Sequence, residues 1–334
     1  MRIWFNRGFS LAPIAAAMRA TDPALAVFVS VGRGQPQYDG PTASWVEPEV
    51  DKAEYLDRVR ETVAAERIDI LIPTRRRALI ASAQLDCRVE LAATAATLEL
   101  LDDKYAFATS LAGEPYHLDT QLIDSVDALE RAIAAFRRTN PTATPAIKPR
   151  RGVNGQGFWH LMGDRGQPMR HLDTPDDREI FDQLYLAAAA AAERQDAFED
   201  LVLMEFLPGP EVSLDILAHR GTLLKLAART KLPHNLQHIQ TEHFLAPLAA
   251  TLVERFGLHG IVNAQFRRAA DGSWKLLEIN TRPAGGIVYA EQVGCGLIAD
   301  WTALLTGAKL PEQISIPRVD AHIRLTTTVT RIAA

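Results

Sequence analysis

The chain has 334 residues, 47% hydrophobic and 23% charged, a composition that suits a folded protein of about two domains and excludes a disordered, collagen-like or disulfide-stapled chain. Lys+Arg 36 against Asp+Glu 41 leaves a net charge of −5, so no overall basic excess speaks for nucleic acid. Cys87 and Cys295 form no CxxC pair and no metal-ligand spacing, which implies a reducing compartment. The apolar run Ala187–Ala192 falls far short of the ~20 residues of a membrane span. The opening MRIWFNRGFS enters a strand pattern with no signal-peptide core, so a cytoplasmic protein without membrane contact is expected.

In chain order, Arg2–Phe5 reads as a short strand and Leu11–Arg19 as a helix, with Ser10 as cap and Pro13 in the first turn. Leu25–Val31 is a second apolar run. Asp51–Glu66 places Tyr55, Leu56, Val59 and Val63 at helical spacing. Ile68–Pro73 and Val89–Ala92 read as further strands. Short apolar strands alternating with helices predict a parallel sheet covered on both faces. No G-x-G-x-x-G follows the first strand, so the dinucleotide fingerprint is absent.

From Asp102 the pattern changes. A helix at Ser125–Arg138 leads through a Pro-rich connection to strand Ala146–Lys148, then to the glycine-rich Arg150–Phe158. A long Ala- and Leu-rich helix is expected near Pro175–Ala197, then strand Leu201–Glu205. Helix Phe244–Phe256 and strands Ile261–Arg267 and Lys275–Ile279 complete the reading, the two strands joined by an Asp271-Gly272 hairpin turn. The class expected is α/β followed by α+β.

Three stretches carry chemistry. Gly152, Gly155 and Gly157 after Lys148 can expose backbone N–H groups to an anion, with the lysine as a point charge; a plain hairpin tip is the competing reading, and no Walker A loop occurs. Met204–Glu211 (M-E-F-L-P-G-P-E) reads either as a solvated connector or as a purine and ribose clamp, with Glu211 on the ribose. Glu278 and Asn280 alternate on one strand and so share a face, which Gln265 on the partner strand can join. These are hard oxygen donors of the kind that take Mg²⁺ together with phosphates, and Arg282 follows two residues later.

The order of these pieces resembles the ATP-grasp superfamily: Lys104, Lys148 with its glycine loop, E-F-L-P-G-P-E, then Q-F…E-I-N-T-R-P. The likeness is closest to the carbamoyl-phosphate-synthetase-like branch and covers about Leu100–Gly286. It implies a pre-ATP-grasp domain over 1–98 and an ATP-grasp module over 99–334, with a lid lobe at about 115–205 and a metal-binding lobe at about 206–334. Only one module is present, unlike the tandem pair of carbamoyl phosphate synthetase. Stand-alone ATP-grasp proteins of the tellurium-resistance-associated kind suit the size better.

By resemblance, Lys104 and Lys148 bind ATP phosphates with the Gly152–Gly155–Gly157 loop, Glu205, Phe206 and Leu207 contact adenine, and Glu211 the ribose. Gln265, Glu278 and Asn280 hold Mg²⁺ (Mn²⁺ as the alternative ion), Arg282 stabilises an acyl phosphate, and Arg229 and Asn263 lie near the phosphates. Where relatives read I-P-T-x-x-x-E, this chain reads I-P-T-R-R-R, so Arg75, Arg76 and Arg77 are expected to bind an anionic substrate group, with a solvated basic helix start as the bland alternative. Arg7 and the His234–His243 segment, with His243 at its end, are also expected to face substrate. The activity implied is ATP-dependent carboxylate–amine (or carboxylate–thiol) ligation on small molecules. A kinase-type phosphotransferase and a non-catalytic ATP-binding regulator are the alternatives, and a homodimer is the assembly considered.

Overall fold

The computed structural model describes residues 1–8, 10–152, 155–163 and 166–326. It divides into two compact units, one of residues 1–99, 210–265 and 279–334 and one of residues 100–209 and 266–278.

The first unit opens with β1 (Arg2–Asn6), α1 (Ala12–Thr21), β2 (Ala26–Val31), β3 (Ala43–Val46), α2 (Lys52–Ala65), β4 (Ile70–Pro73), α3 (Arg77–Ala81) and β5 (Arg88–Val89). The strands form a parallel sheet in the order β3-β2-β1-β4-β5. Alternation sends Ile3 and Phe5 towards Ile14 and Met18 of α1, and Trp4 towards Tyr55, Val59 and Val63 of α2. Both faces of β1 are therefore buried, as a parallel sheet requires. Two strand readings change. The expected Val89–Ala92 strand is the two-residue β5, and β3, a four-residue edge strand whose valine, Val46, is exposed, has too little pattern to read locally.

The second unit begins within α4 (Ala95–Asp102) and contains α5 (Lys104–Ser110), β6 (Thr120–Ile123), α6 (Val126–Thr139), β7 (Pro145–Pro149), β8 (Trp159–Leu161), α7 (Arg170–Asp173), β9 (Glu179–Ile180), α8 (Asp182–Arg194) and β10 (Leu201–Glu205). The sheet order is β6-β10-β7-β8-β9, with β10 antiparallel to both neighbours. One face carries α6 and α8 through Leu129, Ile133 and Ala189. Ser125 caps α6 by accepting from Ala128 N, and Arg137 and Arg138 suit its C-terminal dipole. The helix expected over Pro175–Ala197 is shorter. Pro175–Asp177 makes one 3₁₀ turn, Arg178 is left-handed (φ 57°), and β9 intervenes before α8 starts at Asp182. Arg137 and the Gly163 N–H both bind the Asp182 carboxylate, which holds that start in place.

The chain then forms β11 (Glu211–His219), β12 (Thr222–Leu232), β13 (Leu236–Gln240), α9 (Ala246–Arg255), β14 (Gly260–Arg268), β15 (Trp274–Asn280), α10 (Ile287–Gln292), α11 (Leu297–Thr306) and β16 (Asp320–Arg324). Their sheet order is β15-β14-β11-β12-β13-β16, with residues 266–278, the end of the β14–β15 hairpin, counted in the second unit. The hairpin turns at Gly272 (φ 88°), and Asp271 Oδ1 accepts from Ser273 N at 2.8 Å. Within the first unit, α11 packs on α1 through Trp301 and Leu305, joining both of that unit's sheets to one apolar cluster. Lys225, buried on β12, pairs with Asp300 of α11 and donates to Cys295 O at 3.1 Å.

Candidate active site

In the second unit, Lys104 is the first residue of α5, whose cap Asp103 accepts from Ala106 N at 3.1 Å. Asp103 is also the anchor of the glycine loop. Arg150 donates to both its oxygens at 2.9 and 3.0 Å, and Arg151 to one at 3.0 Å. Burial raises the Asp103 carboxyl, but the Arg150 and backbone hydrogen bonds outweigh it and hold the group below the usual carboxylate range. Lys104 Nζ donates to Gly152 O at 2.9 Å, so helix start and loop start are tied together.

Lys148 stands on β7 opposite Val202 of β10. Burial pushes its ammonium down to about 8, the neighbouring Lys104 pushes the same way, and Glu278 opposes both. Lys104 is lowered too, by burial first, against the pull of Glu278, Asp102 and Asp103. The three expected phosphate and metal residues of this unit, Lys104, Lys148 and Glu278, thus share one electrostatic neighbourhood in which burial outweighs the carboxylates. Gly155 (φ 66°) and Gly157 (φ 70°) are left-handed, and a Cβ at Gly157 would sit 2.7 Å from the Pro149 ring. The residues between Gly152 and Gly155 lie outside the described ones.

Glu205 and Leu207, at the end of β10, border a cavity of about 460 Å³ whose wall also includes Met204, His117, Asp271 and Lys275. The Phe206 N–H donates to Thr144 O at 2.8 Å. Its ring lies 3.9 Å from the His160 ring, and the Arg267 guanidinium lies 5.1 Å from its centre. Burial, and then the charge of Arg267, push His160 down to about 4, so it is neutral at pH 7. Its buried Nε2 has no hydrogen-bond partner among the described residues. Neither His160 nor Arg267 stood out in sequence, because the stack depends on the spatial meeting of β8, β10 and β14.

In the first unit, Arg229, Asn263 and Gln265 belong to one buried network. Arg229, 4% exposed, makes a two-pronged ion pair with Asp215, and donates to Gln237 at 3.2 Å and Ser213 at 3.3 Å. Asn263 Nδ2 donates to Asp215 Oδ1 at 2.8 Å and Ser213 Oγ at 3.0 Å. Gln265 Nε2 donates to Asn263 Oδ1 at 3.3 Å. Arg229 also fills the space beside Gly286, where a Cβ would lie 2.4 Å from its nitrogen. The arginine expected as a catalytic cation is thus already ion-paired with Asp215. Asp215 and Ser213 were missed, although the alternation E-V-S-L-D puts Glu211, Ser213 and Asp215 on one face of β11.

Glu211 pairs with Lys231 of β12 at 2.6 Å. Asn280 ends β15, and Arg282 NH1 donates to Pro283 O at 3.3 Å. Arg282 borders a cavity of about 20 Å³, room for one water, together with Thr281 and Trp301, whose buried Oγ1 and Nε1 have no hydrogen-bond partner among the described residues.

The expected substrate residues are placed differently from one another. Arg75 is exposed beyond β4 and its carbonyl accepts from Asn6. Arg76 (φ 50°) folds back over the Tyr55 ring at 4.4 Å and donates to the Val50 and Asp51 carbonyls, which ties it to the start of α2. Arg77 starts α3. Arg7 (φ 55°) pairs with Glu47 and Glu49. The His234–His243 segment is not one open loop. It contains β13, on which His238 stacks against His322 at 4.2 Å and pairs with Asp320. His243 Nδ1 accepts from Leu245 N at 3.3 Å, just before α9. Among the described residues, no helix is long and apolar enough to cross a membrane.

A five-stranded parallel sheet, a five-stranded sheet of antiparallel pairs with one parallel pair at β8–β9, and a six-stranded sheet, with a lysine pair beside a glycine loop, define the class: this is the ATP-grasp fold. Residues 197–329 match a family model described as "ATP-grasp in the biosynthetic pathway with Ter operon". No curated protein matches the chain. Among solved structures, the chain is similar to a biotin carboxylase β,γ-ATP complex from Campylobacter jejuni at 14% identity and TM-score 0.64, covering 96% of this chain and 74% of that one. It is also similar to an ADP complex of N5-carboxyaminoimidazole synthetase from Staphylococcus aureus (14%, TM-score 0.61, 94% and 79% covered). An L-amino acid ligase from Bacillus licheniformis matches at 13% identity and TM-score 0.62, with 94% and 77% covered.

Proposed function

We propose that this chain is an ADP-forming ATP-grasp ligase that joins a small-molecule carboxylate to an amine through an acyl phosphate. The observation that carries this reading is the Lys104–Lys148–Glu278 neighbourhood beside the glycine loop, where two ammonium groups are held below their ordinary pKa. Cations whose burial outweighs their counter-ions gain from an incoming polyphosphate. The cavity bordered by Glu205 and Leu207 supports an adenine site, and the similarity to nucleotide complexes points the same way.

In this reading, a substrate carboxylate oxygen attacks the γ-phosphorus and ADP leaves. The amine nitrogen then attacks the acyl carbon, releasing phosphate and a proton. Lys104 and Lys148 neutralise the phosphates, and the loop N–H groups add donors. Gln265, Glu278 and Asn280 suit Mg²⁺, being one carboxylate and two amide oxygens for an ion that shares its shell with phosphates. Bound there, the ion would offset phosphate charge. Arg282 stabilises charge at the transferred group, while Arg229, neutralised by Asp215, positions Asn263 and Gln265. Arg75 remains the candidate for an anionic substrate group. The test is an ADP-release screen over amino acids and small acids, paired in all combinations, with Glu278→Ala as control. Release that requires one acid and one amine, and is lost in Glu278→Ala, is expected. Full activity in that variant contradicts the assignment.

A further inference from the structure

β16 ends the six-stranded sheet, with β13 as its one strand partner among the described residues. It is five residues long, Asp-Ala-His-Ile-Arg, and its two faces differ. Ala321 and Ile323 are half-buried, Ile323 against the apolar cluster of the first unit, while Asp320, His322 and Arg324 are exposed. The backbone alternates with the same period. Thr241 N donates to Val319 O at 3.0 Å and Leu325 N donates to Asn235 O at 2.9 Å, one at each end of the β13–β16 ladder. Every second residue of an antiparallel ladder bonds to a given neighbour, so the odd-numbered residues face β13. The N–H and C=O groups of Asp320, His322 and Arg324 therefore point away from it. Such an edge is a template for a further strand.

The two ends of this edge carry opposite charges, which selects its partner. A second copy of β16 running antiparallel offers the complementary pattern. With the twofold axis at His322, Asp320 of each copy lies opposite Arg324 of the other, and the residues with outward backbone groups form the hydrogen-bonded pairs. Neighbouring registers lose this match. An axis at Asp320 or at Arg324 sets like charges opposite each other, an axis at Ala321 sets Arg318 against Arg324, and an axis at Ile323 sets Asp320 against Thr326. Asp320 has capacity for the contact. Its oxygens accept from His238 at 2.6 Å and from Gln240 at 3.2 Å, one each, and a carboxylate accepts about four hydrogen bonds. His322, at the centre, stacks on His238 at 4.2 Å, which keeps its side chain on the exposed face and off the strand edge.

We infer that the chain forms a twofold dimer in which β16 pairs antiparallel with β16 of a second copy, with two Asp320–Arg324 ion pairs across the axis. The interface is separate from the ligase assignment and uses none of its residues. Two short strands bury little surface, so a dissociation constant on the order of 10–100 µM is expected. The test is sedimentation velocity of the full chain from about 1 to about 500 µM, a range that brackets that constant. No nucleotide is added, so the result does not depend on the catalytic reading. Arg324→Asp and Asp320→Arg each set like charges opposite one another and should each weaken self-association about tenfold or more. An equimolar mixture of these two variants restores both ion pairs in a mixed dimer and should associate about as well as the wild type. His322→Pro removes an outward N–H at the axis while leaving the bonds to β13, and should abolish the dimer. A wild type that is monomeric throughout, single variants that dimerise like the wild type, or a mixture that associates no better than its components overturns the inference. The mixture keeps the question decidable if His322→Pro does not fold.

Discussion

The buried polar networks of the two units differ in whether they are complete. Around Arg229 every charge is answered: Asp215 neutralises the guanidinium, and Ser213, Gln237 and Asn263 complete the set. Around Lys148 the balance runs the other way. Burial and Lys104 outweigh the one carboxylate that helps, Glu278. A closed network fixes geometry, whereas an open one stores affinity for an absent charge.

If the Arg229 network is structural, removing Asp215 should strand a buried guanidinium. Asp215→Ala is expected to cost about 3–5 kcal/mol of unfolding free energy, read from urea denaturation. A loss under about 1 kcal/mol, with nucleotide affinity lost instead, would reverse the roles assigned to the two networks.

Removing Lys148 should do the converse. Lys148→Met is expected to lower ATP-dependent ADP release by about 10²–10³-fold with little change in stability. The pH dependence sharpens this. Lys148, pushed down to about 8, is charged below that pH and neutral above it, so ADP binding should weaken as pH rises through 8. Lys148→Arg, charged throughout, should retain affinity across that range. A wild-type affinity that is flat with pH would mean that Lys148 does not meet the phosphates.

Much of this contrast was legible in sequence where it rested on spacing. The strand–helix alternation of residues 1–99, the Asp271-Gly272 hairpin and the shared face of Glu278 and Asn280 follow from periods of 2 and 3.6. What spacing cannot hold is partnership across strands. Ser213 meets Arg229 only through the β11–β12 register, and β13 lies between β12 and β16, whose residues come far later in the chain. His160 reaches Phe206 only after β8 folds beside β7. Arg7 and Arg76 looked like free cations because their acceptors, Glu47, Glu49 and the Val50 and Asp51 carbonyls, come from distant turns.

The smallest effect separates two glycines of the same loop. Gly155 and Gly157 both have positive φ, so alanine at either costs about 1–2 kcal/mol of backbone strain. Among the described residues no atom lies within 4 Å of a Cβ at Gly155, while at Gly157 a Cβ would be 2.7 Å from the Pro149 ring. Pro149 adjoins Lys148, so the displacement at Gly157 is passed to the lysine proposed to meet the phosphates. Gly157→Ala should therefore weaken ADP binding several-fold more than Gly155→Ala, while thermal unfolding moves by similar amounts in both. Equal affinities in the two variants would show that the Pro149 contact does not hold Lys148. The open network would then owe its poise to burial alone.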